Sequence, residues 1–154
     1  MRTKAQRRKD VQIYLTNAVK HLRQAQRAGR ARRQTSDDNR RLAVDKAYNA
    51  TASAVKGLLL LAGKNLPWYT GESHSDAYAY QSKLRQRFVS TYVVTGKVDW
   101  NVDQRLSFSL NLQVRAQHRQ DVEITTRDVT HATDLAQELI DLLEEMLSLD
   151  LEDQ

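Results

Sequence analysis

Apolar residues recur along most of this chain at helical rather than strand spacing. From Val11 they fall at Val11, Tyr14, Leu15, Ala18, Val19, Leu22 and Ala25, the i, i+3, i+4, i+7 period of an amphipathic helix that buries one face. The stretch AGRARRQTSDD breaks that period with Gly29 and a polar cluster. Ser36, Asp37 or Asp38 can then cap a second helix by accepting its orphan N–H groups. This helix, at about 39–62, carries Leu42, Tyr48, Val55, Leu58, Leu59 and Leu61. Between them lie the small residues Ala47, Ala50, Thr51, Ala52, Ser53 and Ala54, which allow a neighbouring backbone to approach closely. Gly63 fits the end of that helix because it accepts a left-handed conformation without steric cost, and Pro67 prevents continuation.

The segment KNLPWYTGESHSD reads as a loop, with Ser73 or Ser75 placed to cap a third helix at about 76–95 that Gly96 ends. Its apolar side is Ala77, Tyr80, Leu84, Phe88, Val89 and Tyr92. A fourth helix, from 99 to about 118, brings Trp100, Leu106, Phe108, Leu110 and Val114 in a mixed period. After a short extended stretch, VEI, Thr125 or Thr126 caps a last helix. Its Val129, Ala132, Leu135, Ala136, Leu139, Ile140, Leu143, Met146 and Leu147 give the clearest helical spacing in the chain. No strand alternation or internal repeat appears, so the pattern predicts an all-α, up-and-down helical bundle of four to five helices forming a single domain. Residues 1–10, rich in Arg and Lys, are expected as a basic arm preceding it.

Composition sharpens this picture. Five Gly and one Pro in 154 residues leave little material for turns, which favours long helices. No run of apolar residues is long enough to span a membrane, and MRTKAQRRKD lacks the apolar segment of a secretory signal, so a cytoplasmic protein is expected. Zero cysteines remove disulfides, thiolate metal sites and thiol nucleophiles, and four scattered histidines do not suggest a zinc site; neither metal nor cofactor is expected.

Charge is distributed unevenly. Residues 1–46 hold fourteen Lys or Arg against four Asp, whereas residues 121–154 hold one Arg against eleven acids. The basic end can bind phosphates, or it can neutralise the acidic last helix by packing beside it, within the subunit or across a dimer. Asp134, Glu138 and Asp141 lie on the outward side of that last helix, a spacing that suits solubility as well as it suits a metal.

The chain has no Gly-rich phosphate loop, nucleophile elbow or His-Glu-x-x-His helix. His74 is expected to help close a helix N-terminus, and His21 and His131 to be polar surface residues. The segment VRAQHRQDVEIT is different, because Arg115 and His118, three residues apart, put a cation and a group titrating near neutrality on one side of a helix. Metal-free RNA cleavage needs a base for the 2′-hydroxyl proton, an acid for the leaving oxygen and a cation for the phosphate. One Arg and one His can supply these if a dimer brings two copies together. Alternatively, both simply interact with the helix dipole at its C-terminus.

Several segments, in order, carry a family resemblance. KAYNATASAVKGLLLLAGKN followed by ESHSD resembles the second helix and following loop of small prokaryotic HEPN-domain proteins. RQRFVSTYVVTGKVD resembles that family's Phe-Val-x-x-Gly-x-Leu/Val segment, and VRAQHRQDVEIT with THATDLAQELIDLLEEML resembles its Arg-x-Ala-Asp-Tyr turn and closing helix. The resemblance covers about 39–147 and implies a dimeric helical bundle. It also implies the function of such proteins, metal-independent RNA cleavage or RNA binding in toxin-antitoxin or defence systems, often with a nucleotidyltransferase-like partner. The family's catalytic Arg-x(4 to 6)-His is absent: two residues separate Arg115 from His118, and three separate Arg127 from His131. Carried over, the resemblance makes Arg115 and His118 the catalytic candidates. It leaves Arg27, Arg30, Arg32, Arg33 and Arg119 as the nucleic-acid-binding candidates, on a surface equally suited to a partner's acidic face. An adaptor bundle that binds only protein is the alternative.

Overall fold

The computed structural model describes residues 2–30, 36–67 and 74–152, all of whose regular structure is helical. Arg32, Arg33 and Ser73 lie outside the described residues, as do the side chains of His74 and Ser75. The elements are α1 (Lys4–Arg30), α2 (Asp37–Leu61), α3 (His74–Phe88) continuing into a π-helical turn (Val89–Val93), α4 (Trp100–His118) and α5 (Thr126–Glu152). The first helix begins at Lys4, so most of the expected basic arm is its opening turns.

Capping follows local chemistry. Ser36 is the N-cap of α2 and accepts from the Asn39 N–H at 3.1 Å. Asp99 caps α4 through Asn101. Thr125 and Asp128 form a reciprocal pair at the start of α5, each side chain accepting the other's backbone N–H. At the far end of α2, Gly63 takes φ +78°, and the Gly63 and Lys64 N–H groups donate to Leu60 and Leu59. That left-handed turn satisfies carbonyls the helix would otherwise leave unpaired.

The second helix is the centre of the bundle. α1 runs antiparallel to it, with His21 near Asp45 and Lys46 and Tyr14 near Gly57. α5 runs parallel to it, because Ala47 meets Ala132 at one end and Gly57 meets Leu143 at the other. Small residues make this possible: Ala25, Ala47 and Ala132 from three helices form one buried cluster, and a Cβ on Gly57 would stand 2.7 Å from Leu143 Cδ2. α3 and α4 close the other side through Leu84, Phe88, Tyr92, Leu106 and Leu110. The Tyr92 hydroxyl donates to the Leu58 carbonyl inside this core.

Basic α1 and acidic α5 do lie antiparallel and in contact, joined by the Arg8–Asp150 ion pair at 3.1 Å. Some apolar positions in the sequence pattern are not core: Leu42, Trp100 and Phe108 are exposed. On α4 this explains the mixed period, since apolar side chains occupy both the buried and the outer face. His21, expected at the surface, is half-buried, and its Nδ1 is enclosed with no hydrogen-bond partner. No helix among the described residues is long and apolar enough to cross a membrane.

Candidate functional site

The end of α4 is held by the beginning of α2. Arg41 is buried, and its guanidinium is directed at the last carbonyls of α4 and the turn after it. Nη1 donates to the Arg115, Ala116 and Arg119 carbonyls at 3.1 to 3.2 Å, and Nη2 donates to the Val122 carbonyl. A C-terminal turn exposes four unpaired carbonyls with partial negative charge, so a planar cation with several donors is well matched to it. Asp37 completes the arrangement by accepting from Arg41 Nε at 2.6 Å and from the Ile124 N–H at 3.3 Å. The bond from Arg41 holds the Asp37 carboxyl below the usual carboxylate range, with the Ile124 N–H acting in the same direction. Arg40 adds a bond to the Ile124 carbonyl. Sequence reasoning did not single out Arg41, and it read Asp37 only as a candidate cap.

This clamp sets the position of the segment Arg115 to Arg119. His118 is exposed and borders a cleft of about 480 Å³ between α2, α3 and α4. Arg115 is not among the residues lining it. Three residues at roughly 3.6 per turn leave their directions about 60° apart, and the edge of the cleft falls between them. Of the two catalytic candidates, His118 therefore borders this cleft, and Arg115 projects from the adjoining side of α4. Arg119 is the C-cap of α4 and pairs with Asp121 at 3.3 Å, out in solvent.

The remainder of the cleft is lined by Asn49, Ala77, Tyr78, Gln81, Leu110, Gln113, Val114 and Gln117. Behind it, Gln113 Nε2 donates to the Asp45 carbonyl, to Asp45 Oδ1 and to Asn49 Oδ1, while Gln117 Nε2 donates to Asp45 Oδ1 at 2.6 Å. The Tyr48 hydroxyl, buried, donates to Gln81 Oε1 at 3.0 Å. Burial raises the Tyr48 hydroxyl well above its ordinary range, so it stays a neutral donor. Arg85, nearby on α3, is held by both carboxylate oxygens of Asp103 at 2.6 and 3.0 Å.

A second polar surface lies along the outer side of α1. Lys20, Arg23, Arg27 and Arg30 are exposed at i, i+3, i+7 and i+10, and the first three share a groove of about 470 Å³ with Glu144 of α5. None of the ion pairs among the described residues involves these four cations. Arg27 and Arg30 were legible as a basic cluster, whereas Lys20 and Arg23 join it only because the helix aligns them. Among the described residues no group of three or more His, Asp or Glu is placed to hold a metal ion. Of the outward acids of α5, Glu138 pairs with Arg105, and Asp141 accepts from Gln137 at 2.9 Å. No protein family, curated protein or solved structure compared with this chain matches it.

Proposed function

We propose that this chain is a HEPN-like, dimeric RNA-binding protein of a prokaryotic toxin-antitoxin or defence type, acting with a nucleotidyltransferase-like partner in the cytoplasm. The observation that carries the RNA reading is the row of exposed cations on α1, Lys20, Arg23, Arg27 and Arg30, which no acid of the described chain pairs. Such a row attracts a phosphate backbone, and neutralising that backbone releases counterions. Binding without cleavage is preferred, because the standard Arg-His spacing is absent. The test is a gel shift with single-stranded RNA over a range of salt. Binding should weaken steeply as salt rises, and a combined Arg27→Ala and Arg30→Ala variant should flatten the log–log slope by roughly 0.7 for each phosphate that is no longer neutralised. RNA left intact by the wild-type protein supports the binding version. Degradation that disappears in Arg115→Ala and His118→Ala proteins would instead establish a ribonuclease assembled across the dimer.

A protein-only adaptor is the second reading, favoured by the exposed Trp100 and Phe108 on α4 and the exposed acids Asp134, Glu138 and Asp141 on α5. Absence of RNA binding at low salt, together with a stable complex recovered with a partner protein, would favour it.

A further inference from the structure

We propose that the cleft between α2, α3 and α4 is a nucleobase-binding pocket, recognising an uncharged planar heterocycle rather than a phosphate. The occupant is inferred on the RNA-binding reading, as one base of the bound strand. The hydrogen-bond network fixes which polar atoms the cleft can offer. Gln113 is 9 % exposed, and its Nε2 is committed to Asp45 and Asn49, all of whose facing atoms are acceptors. The orientation of that amide is thereby determined, and its Oε1 is left as the acceptor on the cleft side. Gln117 is oriented in the same way by Asp45. Asn49 uses its oxygen for Gln113 and Gln81 uses its oxygen for Tyr48, so both leave an N–H₂ donor to the cleft.

The result is a set of neutral donors and acceptors fixed from behind, with Tyr78 half-exposed at the wall. No Lys or Arg lines the cleft, and the Asp45 carboxylate lies directly behind the two glutamines. An anion is therefore poorly matched. A base offers donors and acceptors on one edge and a π-face for Tyr78. Carboxamides pair with adenine in this manner, and unpaired bases commonly stack on aromatic side chains. The volume of about 480 Å³ falls within the roughly 300–1,000 Å³ typical of small-molecule sites.

The experiment is calorimetric titration of the full chain with adenosine, guanosine, cytidine and uridine, with ribose 5-phosphate as the sugar-phosphate control. At least one nucleoside should bind, ribose 5-phosphate should not, and the affinity should change little between about 50 and about 200 mM salt, unlike phosphate binding. Tyr78→Ala should weaken the nucleoside roughly tenfold by removing the stacking face. Gln81→Glu, which keeps the acceptor for Tyr48 and removes the donor, should weaken it as well. Both variants should unfold at the wild-type temperature, which separates impaired recognition from impaired folding. Failure of all four nucleosides to bind, or unchanged affinity in Tyr78→Ala, overturns the pocket. The two readings fail separately: salt-dependent RNA binding without nucleoside binding removes only the pocket, while nucleoside binding without RNA binding removes only the RNA reading.

Discussion

Replacing Arg41 tests whether one side chain sets the end of α4. Arg41→Met keeps length and apolar volume but removes every donor, leaving the Arg115, Ala116, Arg119 and Val122 carbonyls without the cation and Asp37 without its closest partner. A hydrogen bond involving a charged group contributes roughly 1.5–3 kcal/mol, but these bonds share one guanidinium and do not add. Part of the turn also remains open to water, and the Arg115 carbonyl keeps the Arg119 N–H. Asp37 stays open to water when Arg41 is removed, so the loss comes mainly from carbonyls left without a donor, and we take about 3 kcal/mol as the expected loss. Against a total stability of roughly 5–15 kcal/mol that is a large fraction. For a domain of this size it corresponds to a fall in Tm of roughly 6–12 °C. Arg41→Lys should recover little of it, because an ammonium cannot reach carbonyls spread over a turn and Asp37 together. Urea unfolding followed by far-UV circular dichroism, with the slope checked for constancy, measures the change. A loss below about 1 kcal/mol in Arg41→Met, or wild-type stability in Arg41→Lys, would refute the clamp.

Three further outcomes are expected. Thr51 is fully buried with no partner for its hydroxyl, so Thr51→Val should stabilise the protein by roughly 1 kcal/mol, read as a small rise in Tm. Burial pushes the Tyr92 hydroxyl up to about 12 from its ordinary 10.0, so the neutral form is favoured in the fold. Stability should therefore be intact below pH 10 and decline as pH rises toward 12, with a flatter decline in Tyr92→Phe; identical alkaline profiles would contradict this. Burial also lowers His21 from its ordinary 6.5, with Lys46 and Lys20 acting in the same direction against Gln24 and Asp45. Unfolded chains then take up the proton first as pH falls below 6.5, so stability should drop there in the wild type and less in His21→Gln, as followed by thermal unfolding at stepped pH.

The helices were legible because burial of one face imposes a period on the sequence, and several of their ends because Ser36, Gly63 and Thr125 have local chemistry that needs no distant partner. The clamp was not legible for the opposite reason. Arg41 acts on carbonyls more than seventy residues away, and a carbonyl has no sequence signature. The cleft was hidden in the same way: Asn49, Gln81 and Gln113 come from three helices and form no motif, and amides are unremarkable in a polar sequence. Arg115 and His118 attracted attention through composition and spacing, yet which residues of α4 border the cleft is decided by how α2 and α3 pack against it. Trp100 and Phe108 mark the other boundary of sequence reasoning, since an apolar residue in a helical pattern does not say whether another helix will cover it.

The π-turn at Val89–Val93, closed by the Val94 N–H on the Val89 carbonyl, holds one residue more per turn than the helix before it. It therefore works as a phase adjuster: Phe88, Tyr92 and Val93 all reach the core although a uniform α-helix would turn one of them aside. The bundle thereby accommodates one residue more than a regular α-helix would fit over the same stretch. Removing one residue there would restore a regular helix and rotate everything up to Gly96 by about 100°. The chain thus carries a point where a length change of one residue becomes a change of facing.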